Sequence, residues 1–269
     1  MMISPDIGSA RTVSTMKLPL SPLMMCAFLA AVGLYIANEF SMQPPVGAEV
    51  RFLRNGSVNA ALLRTNGGTV LINGGSDSDF LEMLAHSLPV FHRRIDLLIL
   101  TSPDKEHIGS LSEIVRRYDV RHVLLCDTPS ADPLFRRFLR DLKEQNIPLS
   151  FPADAPRITI GDSTIEPIET AAPHRMLVKI HHSGTTLMIA GLLRPTQAKE
   201  LLEDGHDLSA DIVSIDHLSP SADFIKAVRP RLGILPTPIT AHSLPAKPFQ
   251  EQGIDLQSTA PTEELLLRF

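Results

Sequence analysis

Two apolar runs limit the architecture more than any other feature of this chain: IDLLIL (95–100) and DIVSID (211–216). A strand with one wet face alternates apolar and polar residues. These runs barely alternate, so each predicts a strand buried on both faces, in a sheet covered on both sides. Each is followed by apolar residues at helical spacing, in HIGSLSEIVRRYD (107–119) and SADFIKAVRP (221–230). Ahead of them, AEVRFLRN (48–55), VNAALLRT (58–65) and TVLIN (69–73) read as strands, with Gly56 and the turn signal NGG (66–68) between them. Further helices are predicted at 79–88, 132–146 and 194–204, and further strands at 121–126, 148–151, 157–160, 164–169, 232–237, 253–259 and 264–269. The stretch 174–191 reads as a hairpin turning at Ser183-Gly184. Strands first, then alternating helices and strands, then strands again predict an α/β (α+β) domain of two sheets with helices outside.

Composition narrows the partners. The chain has 269 residues, of which 43% are hydrophobic and 20% charged, enough for a sizeable core. A net charge of −5 argues against a surface that grips nucleic acid everywhere. Arginines do concentrate between Arg93 and Arg140, but acids are interspersed among them, and a solvated helix surface is the simpler reading. The two cysteines, Cys26 and Cys126, form no CxxC knuckle, and Cys126 ends the apolar run HVLLC as a small buried residue. No phosphate loop and no Gly-x-Ser-x-Gly elbow occurs.

Residues 18–38 are of another kind, because none carries a charge. At about 1.5 Å per residue they reach about 31 Å, near the thickness of a hydrocarbon core. Arg11 and Lys17 precede them and Glu39 follows, so the expectation is a single-pass anchor in a bacterial-type cytoplasmic membrane with the later domain outside the cytoplasm. A cleaved signal peptide is the rival reading. Residues 1–17 then form a disordered N-terminus, 39–47 a linker and 48–269 the folded domain.

Chemistry is concentrated in TSPDKEHIG (101–109), which joins the strand IDLLIL to the next helix. A strand ending in a loop with Asp104, Glu106 and His107 is a common way to build a metal site. Together with FLRNGSVNA (52–60), LINGG (71–75), TTLMIAGLL (185–193) and ADIVSIDHLSP (210–220), it makes the chain from about Val50 to Phe269 resemble the metallo-β-lactamase-fold domain of the ComEC family of DNA-uptake competence proteins. That family reads roughly FLDVGQGDA, LIDGG, THPDxDHIGG, LLTGD and VPHHGS in these places. The resemblance implies an αββα sandwich, two facing mixed sheets flanked by helices, with metals on loops at one edge.

The departures fall on the family's metal positions. Arg54, Asn59 and Asn73 stand where the family has Asp, Ser102 and Asp216 where it has His, and Leu192 where it has the bridging Asp. A dinuclear hydrolase needs that bridge and a bound water of lowered pKa, and leucine supplies neither. The resemblance therefore implies a degenerate site with no catalytic residue. Asp104, Glu106, His107, Asp216 and His217 are left as vestigial metal candidates, fit for a single weak Zn²⁺ or Mn²⁺ at most, and no cofactor is expected. The alternative for Asp104 and Glu106 is to favour a helix N-terminus. Implied partners are the membrane and, through the family, DNA or DNA-uptake proteins. The other implied activity is metal-dependent hydrolysis of phosphodiesters at an altered site.

Overall fold

The computed structural model describes residues 22–41, 47–55, 58–89, 91–126, 130–170, 175–216, 220–236, 244–259 and 264–269. The chain divides into two units, 1–42 and 43–269. The first contains helix α1 (Pro22–Ser41). It continues beyond residue 38, because the first helix breaker after Gly33 is Pro44. Met24, Phe28, Leu29 and Leu34 on it are exposed. Among the described residues no helix is both long and apolar enough to cross a membrane.

In the second unit the elements run β1 (Glu49–Asn55), β2 (Val58–Thr65), β3 (Gly68–Ile72), α2 (Asp79–Ser87), β4 (Arg94–Ile95), β5 (Leu97–Leu100), α3 (Lys105–Ile108), α4 (Leu111–Arg117), β6 (Asp119–Val120), β7 (Val123–Leu125) and α5 (Pro133–Glu144). They continue as β8 (Leu149–Ser150), β9 (Ile158–Ile160), β10 (Ser163–Glu169), β11 (Met176–His182), β12 (Thr185–Gly191), α6 (Pro195–Glu203), β13 (Ile212–Ile215), α7 (Ala222–Val228), β14 (Leu232–Leu235), α8 (Lys247–Gln250), β15 (Asp255–Ser258) and β16 (Glu264–Arg268). Two seven-stranded sheets form, in the orders β16-β1-β2-β3-β5-β7-β8 and β15-β14-β13-β12-β11-β10-β9. Both are mixed: β3, β5, β7 and β8 run parallel, as do β12, β13, β14 and β15, and the other pairs are antiparallel.

The side-chain period of a strand explains the layers. On β5, Leu97 and Ile99 point to the core between the sheets, where they meet Val178, Ile189 and Ile212. Leu98 and Leu100 point the other way, to Phe80, Ile114 and Phe138 on α2, α4 and α5. On β13, Val213 and Ile215 pack on Leu201, Phe224 and Phe249 from α6, α7 and α8. The two apolar runs are thus buried on both faces, and the layers are helix, sheet, sheet, helix.

Two stretches differ from the sequence expectation. The helix expected over 107–119 is broken into α3 and α4 at Gly109-Ser110. The His107 carbonyl accepts from Gly74 N–H at 2.7 Å, and the Ser110 hydroxyl donates to the Asp77 carbonyl. The loop after β3 therefore takes bonds that a continuous helix would use itself. Gly109 is pressed against that loop so closely that a Cβ would collide with the Ser76 carbonyl. The second difference is at 244–250, where no helix is predicted and a 3-10 turn (Leu244–Ala246) leads into α8. Proline suits a first helical turn, and Phe249 is fully buried.

Because Ser76 backbone faces Gly109, Gly109→Ala is expected to destabilise the chain by about 1–3 kcal/mol. The check is the urea midpoint of the full chain, and an unchanged midpoint would mean that the loop yields without cost.

Candidate functional site

The C-terminal ends of β3, β5, β12 and β13, with the start of β11, meet at one edge of the sandwich. Asn73 follows β3 with φ of 64°, a left-handed conformation that asparagine tolerates better than most residues. Its buried Oδ1 accepts from the Thr101 N–H at 3.0 Å and the Thr101 hydroxyl at 2.9 Å. The ends of β3 and β5 are thereby tied together by a neutral amide. Thr101 in turn ties the sheets, because its carbonyl accepts from Met176 N–H at 2.9 Å.

Asp104 stands at the N-cap of α3, yet its side chain makes no capping bond. It turns instead to the second sheet, where Arg175 Nη2 lies 2.5 Å from its Oδ2. The same oxygen accepts the Ser102 hydroxyl at 2.7 Å. Burial alone would raise the pKa of the Asp104 carboxyl, but the Ser102 hydroxyl and the Arg175 guanidinium outweigh it and hold it below the usual value. The expectation that Asp104 serves the helix dipole is thus replaced by an ion pair between sheets.

His107 is fully buried, and its Nε2 lies 3.3 Å from Oδ2 of Asp216, itself 2% exposed at the end of β13. Gly191, at φ of 53°, lies under this pair. A Cβ there would be 3.6 Å from Asp216 Oδ2, 3.8 Å from Thr101 Oγ1 and 3.9 Å from His107 Cε1, so these groups crowd one small space. Leu192 is buried next to it.

Of the sequence candidates, the structure brings His107 and Asp216 together and pairs Asp104 with Arg175. Glu106 stays half-buried on α3. His217 lies outside the described residues, as do His174 and His242. Among the described residues no three His, Cys, Asp or Glu side chains group as ligands for a metal ion. The buried polar atoms left without a hydrogen-bond partner here are Asn73 Nδ2, Arg175 Nε and Nη1, and His107 Nδ1. The amide and guanidinium nitrogens are donors, which do not ligate a cation. The described residues of this edge therefore do not fit a pair of divalent cations.

Sequence reasoning missed Arg175. It opens RMLVKI, an otherwise apolar strand, and a charge at the mouth of a buried strand was the available signal. The adjacent histidines of β11 have hydroxyl partners: His182 bonds the Ser163 hydroxyl at 2.9 Å, and His181 the Thr186 hydroxyl at 3.1 Å. In the arginine-rich third, Arg116, Arg117, Arg121, Arg137 and Arg140 all lie within 4.0 Å of an acid. That is a neutralised helix surface rather than a phosphate-binding face.

A carboxyl with a depressed folded pKa contributes stability that is present above its unfolded value, about 3.9, and is lost as pH falls through the folded value. Asp104→Asn is therefore expected to be less stable than the natural chain at neutral pH, with the gap closing below about pH 4. Thermal midpoints between neutral and acid pH check this. A gap that stays constant would mean that the pair with Arg175 contributes nothing.

The comparisons agree with this architecture. The metallo-beta-lactamase fold protein YhfI from Bacillus subtilis superposes with a TM-score of 0.60 at 13% identity, over 83% of this chain and 100% of that one. Igni18, a metallo hydrolase from Ignicoccus hospitalis, gives 0.52 at 14% identity, over 82% and 99%. ComE operon protein 3 of Bacillus subtilis is 19% identical over 154 residues, 53% of this chain and 20% of that protein, so the match spans about a fifth of that relative's length. Residues 53–237, more than half of the chain, match the Metallo-beta-lactamase superfamily, and the chain belongs to that superfamily.

Proposed function

We propose that this chain is a membrane-attached, catalytically inactive metallo-β-lactamase-fold domain related to the ComEC family, acting by binding or assembly in DNA uptake. The observation that carries the reading is the pairing of Asp104 with Arg175 at 2.5 Å. A carboxylate engaged by a guanidinium and a hydroxyl is not presented to a metal, and the buried Leu192 offers no bridge between two ions. The likeness to ComE operon protein 3 supports the family link. The apolar surface of α1 supports attachment, since Phe28 and Leu34 are 67% and 73% exposed.

The test of inactivity is to incubate the full chain in detergent with Zn²⁺, Mn²⁺ or Mg²⁺ and a DNA substrate, beside a His107→Ala, His217→Ala control. Turnover is expected to match the control. Turnover of about 1 s⁻¹ or more, abolished in the control, would make the chain a metal-dependent phosphodiesterase or nuclease instead. Attachment is checked by washing isolated membranes at physiological salt and neutral pH. The full chain is expected in the membrane pellet, and recovery in the wash would refute attachment through α1.

A further inference from the structure

Arg175 has no counterpart among the positions that the sequence singled out, and its surroundings are unusual. Its backbone is fixed at the mouth of β11: its N–H donates to the Thr170 hydroxyl at 3.1 Å, and the next N–H, of Met176, binds the Thr101 carbonyl. Its residue is 9% exposed. From there the guanidinium crosses to Asp104 on the other sheet, while Nε and Nη1 stay buried and unpartnered. Burying a guanidinium with unmet donors is unfavourable by itself, and the ion pair with Asp104 is what offsets it.

We propose that the Arg175 guanidinium is the resident cation of this edge, neutralising Asp104 from the facing sheet in the place of a divalent metal ion. The inference rests on the reading that the site is not built for metal, and adds what replaced it. Charge balance is consistent with it. With Asn73, Ser102 and Leu192 at the edge, few carboxylates remain. Asp104 is balanced by Arg175, and Asp216 lies within hydrogen-bonding distance of His107. Each pair has one member from each sheet, so the two pairs add side-chain links to the backbone bond from Met176 to Thr101 at this edge.

The experiment is thermal unfolding of the full chain and of Arg175→Gln, each with a chelator and with excess Zn²⁺ or Mn²⁺. The natural chain is expected to shift by less than about 1 °C in either condition. Arg175→Gln is expected to melt roughly 2–5 °C lower, because it leaves a part-exposed carboxylate without its cation, and to recover much of that with metal. Asp104→Asn combined with Arg175→Gln removes both charges, and is expected to regain part of the loss and to ignore metal. If Arg175→Gln does not fold, Arg175→Lys takes its place. It keeps the charge and is expected to ignore metal, and a metal response in it would overturn the inference. A natural chain destabilised by chelator would overturn both this inference and the proposed inactivity. A metal-blind natural chain with an Arg175→Gln variant of equal stability, or one destabilised but unresponsive to metal, would overturn the inference alone.

Discussion

The edge that joins the two sheets is governed by the pairing of polar side chains in a partly buried place. Asp104 and Asp216 come from different sheets and converge on the same strand-end region. Asp216 is buried and the Asp104 side chain is 34% exposed, so a partner matters to both and most to Asp216. Here each is met by a side chain from the opposite sheet. Such pairs add little net stability over an apolar contact, but loss of one partner is costly because the other is left charged. That asymmetry makes Arg175 a position where a single substitution has consequences for the whole edge.

The neutral parts of the edge follow the same logic. Asn73 keeps the acceptor geometry that a carboxylate would have toward Thr101, without adding a negative charge. Its left-handed backbone and the positive φ of Gly191 let β3 and β12 end abruptly, so the loops can close over His107. The superfamily's fold is thus kept at this edge, where the polar side chains are paired with one another. Likeness of fold to a metallo hydrolase does not by itself carry hydrolysis with it.

The fold was legible in the sequence because its signals are local and strong. The apolar runs at 95–100 and 211–216 need cover on both faces, and the strand and helix patterns around them leave few topologies. The break between α3 and α4 was not legible, because it depends on bonds from Gly74 and to Asp77, which are distant in sequence. The helix α8 was masked by its prolines. At the site, the substituted positions were readable from the strings that carry the resemblance. Arg175 was not, since its meaning lies in a partner 71 positions away on the other sheet, and only folding brings it to Asp104. Asp216 likewise reads as a vestigial metal candidate in one dimension and as the partner of His107 in three.

Metal content tests the account most directly. The full chain, purified without chelator and then equilibrated with zinc or manganese and dialysed, is analysed by mass spectrometry of the elements. With Arg175 on Asp104 and His107 on Asp216, the account predicts a small fraction of an equivalent of either metal. One or two equivalents retained through dialysis would contradict it, and would mean that the edge opens to a cation despite its own charges.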